Sequence, residues 1–221
     1  MKKIVFMAVA LMAFAVASAQ EDVVAVYNQS TEALKARNFA KAAELLEKVI
    51  ADGEESEDDT VLGCVENAKK NLPAAYQGMG AMSAAAAMKA EKPEDADAKF
   101  ADAIANLDKA VAKAKEFKNN AAAAKANAML AKVYQAQGAS AFNSEDYAKA
   151  IEIFAKGYAA DPKNTDMAMN LAESYFKMDN YAEGMKICEE VAALPSPKYD
   201  AAIAAAKAKM DEIQAAWDSS D

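Results

Sequence analysis

The segment ADGEESEDDT, residues 51–60, sets six acids within ten positions, the densest gathering of carboxylates in the chain. Carboxylates in such numbers can hold a divalent cation or share a proton in acid–base work. A calcium loop needs alternating oxygen ligands closed by a bidentate glutamate, and that spacing is missing here, so the run reads as a solvated loop. A metal-dependent binder using residues 52–59 is the remotest alternative. Within the same run, Asp59-Thr60-Val61 has the form of a short signal for O-glycosylation, and three residues alone carry little weight.

The 221 residues include no histidine, which removes His general bases, Ser-His and Cys-His pairs, and imidazole metal ligands. Carboxylate, lysine and tyrosine chemistry remains, without a convergent carboxylate pair at helical spacing. No enzymatic activity, metal or cofactor is expected. The net charge is −9, and no cluster of Lys and Arg with interleaved aromatics breaks the acidity, so nucleic acid is not expected as a partner.

Residues 1–19 begin with Lys2 and Lys3, continue through a short apolar run and end in Ala17-Ser18-Ala19. That is the form of a secretory signal with an A-x-A cleavage site. The expectation is a mature chain starting at Gln20, exported across the inner membrane to the periplasm, with no stable membrane anchor after cleavage.

The elements that must position any site are helical, because only seven glycines and five prolines interrupt an Ala-rich, charged sequence. Tyr147, Ala150 and Phe154 fall on one helix face at steps of three and four. Thirty-four residues later the same frame reads Tyr181, Gly184 and Cys188, and Tyr134 and Gly138 stand to Tyr147 as Ala168 and Ala172 stand to Tyr181. Phe100, Ala103 and Leu107 repeat the pattern upstream, as do Phe39, Ala42 and Leu46.

This pattern resembles the tetratricopeptide repeat, a helix-turn-helix unit in which small residues let helix A approach helix B and aromatics fill the space to the next hairpin. Residues 131–164 match it best, through Tyr134, Gly138, Tyr147, Ala150, Phe154 and Pro162. The predicted fold is all-α, an alpha-alpha superhelix of helical hairpins in one domain over residues 20–221. Repeats are placed near 22–55, 73–117, 131–164 and 165–197. Extra residues in the second repeat, including EKPEDAD, and before the third predict a longer helix A or loop in the former and an early helix start near Asn120 in the latter. Tyr199, Ile203, Ala206, Met210, Ile213 and Trp217 form one apolar stripe, which predicts a C-terminal capping helix over 198–217 with Trp217 as core filler beneath it. Cys64 and Cys188 fall in repeats that are not neighbours, so no disulfide is expected between them, and Cys188 takes a helix-B packing slot.

The resemblance implies a non-catalytic scaffold that binds a protein or peptide through the concave face lined by the A helices. Carried over by frame, the groove positions are Lys132, Gln135, Ala139, Phe142 and Asn143 in the third repeat. Those of the fourth are Asp166, Met169, Glu173, Phe176 and Lys177. Phe142 and Phe176, again 34 apart, would form an aromatic ladder aided by Met169, or else pack between helices. The family's clamp for a terminal carboxylate would have only Lys132, Asn143 and Lys177 to draw on, opposed by Asp166 and Glu173. A structural or assembly factor of the envelope, using the convex face or the termini, is the alternative.

Overall fold

The computed structural model describes residues 22–194 and 200–219. The expected leader over 1–19, the start at Gln20, Tyr199 and the side chain of Ile203 lie outside the described residues. Those that are described form nine helices and no strand. They divide into two compact units, one ending at Met129 and the other beginning at Leu130.

The first unit opens with α1, residues 22–35. Asn38 then caps α2 (Phe39–Gly53), its side chain accepting from the Lys41 backbone N–H at 3.3 Å. Ala42, Leu45, Leu46 and Val49 recur at steps of three and four along α2 and are all buried, which gives the helix one core-facing side. Asp58 caps α3 (Asp59–Ala87) by accepting from Thr60 and Val61 at 2.8 and 3.1 Å. α3 packs on both α2 and α4 (Pro93–Glu116). Pro73 lies inside α3, buried, and its missing N–H withdraws the helical partner of the Lys69 carbonyl. Leu46, Val49, Val61 and Leu72 are at most 1% exposed, and burying each such side chain contributes about 1.5–3 kcal/mol.

α5 (Asn120–Asn143) runs across the division between the units. It starts early and is long, as the sequence predicts. It starts at Asn120, and the cap is the preceding Asn119, its Oδ1 accepting from the Ala122 N–H at 3.0 Å. The second unit continues with α6 (Tyr147–Ala160), α7 (Thr165–Phe176), α8 (Tyr181–Ala192) and α9 (Asp200–Asp218). Consecutive helices from α6 to α9 pack on one another, with a smaller contact of α7 with α9. Asp146 and Asn164 cap α6 and α7. α6 ends at Ala160, two residues before Pro162, which cannot continue a helix.

The contacts that bring helix A onto helix B are those the small residues predict. A Cβ added at Gly138 on α5 would stand 2.5 Å from the Phe154 ring of α6. At Gly80 on α3 it would stand 2.6 Å from Leu107 of α4, and at Gly184 on α8 it would overlap the Phe176 ring of α7. Ala150 and Ala103 have no exposed surface at all.

Four helix-to-helix turns share one construction. Arg37, Lys118, Glu145 and Asp179 each take a left-handed φ of 55° to 61°. The residue after each sends its backbone N–H back to a carbonyl five residues earlier, as from Asp146 to Ala141 at 3.0 Å and from Asn180 to Tyr175 at 3.0 Å. This Schellman closure satisfies carbonyls the helix end leaves open.

Candidate functional site

The acidic run is not a single loop. Ala51 to Gly53 belong to α2, while Asp59 and Thr60 open α3. Three of its six carboxylates have local duties: Asp52 pairs with Lys48 at 2.7 Å, Glu54 with Lys69 at 2.5 Å, and Asp58 is the α3 cap. Among the described residues no group of three or more acids or thiols is gathered to hold a metal ion. Thr60 is exposed on the first turn of α3.

In the second unit, a cleft of about 390 Å³ opens between the C-terminal end of α7, the start of α8 and the face of α9. Its floor is apolar, with Phe176 and Ile213 at 8% and 7% exposure. Two aromatic side chains stand at its rim, Tyr181 at 37% and Trp217 at 54%. Trp217 is therefore not filler beneath the capping helix. Ala206 and Ile213 of the predicted stripe are buried and Met210 is half-buried, but one further turn on, Trp217 lies where α9 borders the cleft.

The charges of the cleft centre on Lys209. Its Nζ lies 3.1 Å from Glu212 and 4.0 Å from Glu173, and 5.5 Å from the centroid of the Phe176 ring. Phe176 in turn stacks on Tyr181, with ring centroids 6.2 Å apart. The Tyr181 hydroxyl donates to Asp179 at 3.0 Å, a bond that holds its phenol above the usual range. Cys188, fully buried on α8, has its thiol pushed up to about 11 by burial, against the opposing pull of Lys209. It is free, as is the buried Cys64 of the first unit, and burial keeps both thiols protonated at neutral pH.

Of the groove positions named from the sequence, the cleft gathers Glu173, Phe176 and Lys177. Lys132 and Asn143 are exposed on α5, where Gln135 and Ala139 are half-buried. Phe142 is half-buried, edge-on to Tyr147 with centroids 5.2 Å apart. Met169 is half-buried against the core of the second unit, and Asp166 is exposed in the first turn of α7. The two phenylalanines thus repeat the same neighbour, a tyrosine five residues on. They differ in depth, and Phe176 offers its ring to the cleft only as a floor. Sequence reasoning did not find Tyr181, Lys209, Glu212 or Ile213 as cleft residues. The extension of the apolar stripe to Trp217 was the signal that α9 has an aromatic residue on this side.

Stacked helical hairpins closed by small-to-large contacts define a helical-repeat protein of the tetratricopeptide-like class. Residues 141–210, from the end of α5 into α9, match the tetratricopeptide repeat family. A comparison with curated proteins finds no match. The family is in general a non-enzymatic scaffold that binds other proteins.

Proposed function

We propose that this protein is a non-catalytic scaffold of the cell envelope that binds a protein or peptide through the concave, A-helix face of its repeats. The observation that carries this is the α7–α9 cleft, where an apolar floor, two exposed aromatic rings and an exposed lysine stand together. Buried aromatic anchors are the usual energetic centre of such interfaces. Residues 1–19 support export to the periplasm as a leader.

Crosslinking capture from envelope extracts tests the reading. The double variant Lys177→Glu, Trp217→Ala alters only exposed side chains and is expected to lose the captured partner while keeping its helical content. Unchanged capture would move binding away from this cleft. It would favour the second reading, an assembly factor using another face, for which Met82 of α3 and Met88 just past its end, exposed at 55% and 66%, are the observation. Export is tested by intact mass: the secreted protein should begin at Gln20, and full-length material held in a membrane fraction would count against a periplasmic home.

A further inference from the structure

We propose that the α7–α9 cleft receives an internal aromatic side chain of an extended partner segment, with an acidic residue beside it, on one side only, pairing with Lys177. The proposal rests on the peptide-binding reading and names the chemistry of the peptide. Size is the first argument: about 390 Å³ lies near the lower end of the roughly 300–1,000 Å³ of ligand pockets, which suits one large side chain and its flanking backbone rather than a whole helix face. Shape and surface are the second. Phe176 and Ile213 close the bottom, while Tyr181 and Trp217 leave ring surface exposed at the sides, and ring faces and edges are best met by another ring.

Charge decides what flanks the ring. Four ionised side chains line the cleft, and Lys209 is shared by Glu212 and Glu173. Lys177 is exposed at the rim, and its side chain makes no hydrogen bond or ion pair among the described residues. An acid beside the ring therefore has in Lys177 a cation whose charge is not already shared, whereas Glu173, one turn before it on α7, and Glu212 both stand against Lys209. Complementarity of this kind sets specificity and orientation more than total affinity.

Trp217 is the chain's only tryptophan, so its emission reports directly on the cleft. The full chain is titrated with capped glycine pentapeptides carrying one phenylalanine and, in turn, a glutamate before it, a glutamate after it, a lysine in either place, or no charge. A control carries alanine in place of phenylalanine. One of the two glutamate peptides is expected to bind at least tenfold more tightly than the uncharged one and than the lysine peptides, and the alanine control to leave the emission unchanged. Lys177→Gln should bring the better glutamate peptide down to the uncharged one, and Lys177→Glu should transfer the preference to a lysine peptide. Equal binding of all phenylalanine peptides would overturn the acidic flank while leaving peptide binding in this cleft intact. If no peptide changes the emission while partner capture still depends on Lys177 and Trp217, the extended aromatic segment is wrong and the scaffold reading stands.

Discussion

The hairpin of α3 and α4 in the first unit is built from helices of 29 and 24 residues, whereas that of α7 and α8 in the second uses 12 and 12. Both are closed by a glycine set against a large side chain, Gly80 on Leu107 and Gly184 on Phe176. The close approach therefore defines the hairpin, and helix length is free to vary around it. Phe39, Tyr147 and Tyr181 each open their helix, but Phe100 lies seven residues inside α4, so much of the surplus in the second repeat extends that helix ahead of the shared contact. The clefts differ between units as well. In the first, lysines ring Phe117, with Lys69 and Lys113 over its face at 6.0 and 5.6 Å; in the second, aromatic side chains form the rim.

The hardest test of a shared contact is to fill it in both units. Ala150→Trp and Ala103→Trp each force a large ring into a position with no exposed surface, and each should cost at least about 3 kcal/mol, the upper end of usual overpacking. Thermal melts check this. A midpoint unchanged by either substitution would place that alanine outside its hairpin and break the equivalence of the units.

A smaller change separates them. Gly138→Ala drives a methyl group to 2.5 Å from a rigid ring, whereas Gly80→Ala meets a leucine side chain at 2.6 Å and a carbonyl oxygen at 3.1 Å. Overpacking of about 1–3 kcal/mol opposes a helix-propensity gain of about 1 kcal/mol in both cases. A net loss is expected at both, smaller at Gly80, where the obstacle is the buried Leu107 side chain rather than a rigid ring. Denaturant midpoints in the reverse order would mean that the ring yields more readily than the leucine.

The units also share a tyrosine bonded to a glutamate: the Tyr76 hydroxyl donates to Glu47 at 2.7 Å, and that of Tyr158 to Glu190 at 3.0 Å. Burial first, and then the glutamate, pushes both phenols up to about 12 from an ordinary 10.0. The folded state keeps a proton that the unfolded state gives up, so this stabilisation is complete below pH 10 and is lost as pH rises toward 12. Tyrosinate absorbance should show Tyr76 and Tyr158 ionising late, with Tyr181, held by Asp179, also above the ordinary range. Tyr76→Phe or Tyr158→Phe should each remove one of them and about 1 kcal/mol of stability at neutral pH. A titration in which every tyrosine ionises together would exclude both bonds.

The smallest effect is expected at the turns. Arg37→Gly or Glu145→Gly relieves a left-handed strain of about 1–2 kcal/mol while enlarging the unfolded ensemble by about 0.4–1 kcal/mol, for a gain of a few tenths to about 1 kcal/mol. A loss of stability at either would show that the native side chain contributes more than its backbone strain costs.

The frame through Gly138, Tyr147, Ala150 and Phe154 was legible because steps of three and four report directly on which side of a helix is buried. The depth of Phe176 was not, because it depends on a residue across the hairpin. Gly184 leaves room for that ring, while Ala150, the equivalent position one repeat earlier, bears a methyl group, and Phe142 stays half-buried. The acidic run concealed two helix ends, since Asp58 is a loop residue by composition and a cap by geometry. Within the cleft, Glu173, Phe176 and Lys177 could be named from the A-helix frame. Lys209 and Glu212 could not, because the repeat pattern assigns α9 a covering role and says nothing of its edge.

The left-handed turns bear on how such a chain can grow. Arg, Lys, Glu and Asp occupy the same backbone state at four junctions, so what recurs there is a peptide geometry and not a side chain. The junction from α4 to α5 uses it as readily as those from α1 to α2, α5 to α6 and α7 to α8. A duplicated segment cut at any two of these points would present matching ends. Lengthening the array by recombination would then need no new turn sequence, only a following helix with a small residue where the next ring must enter.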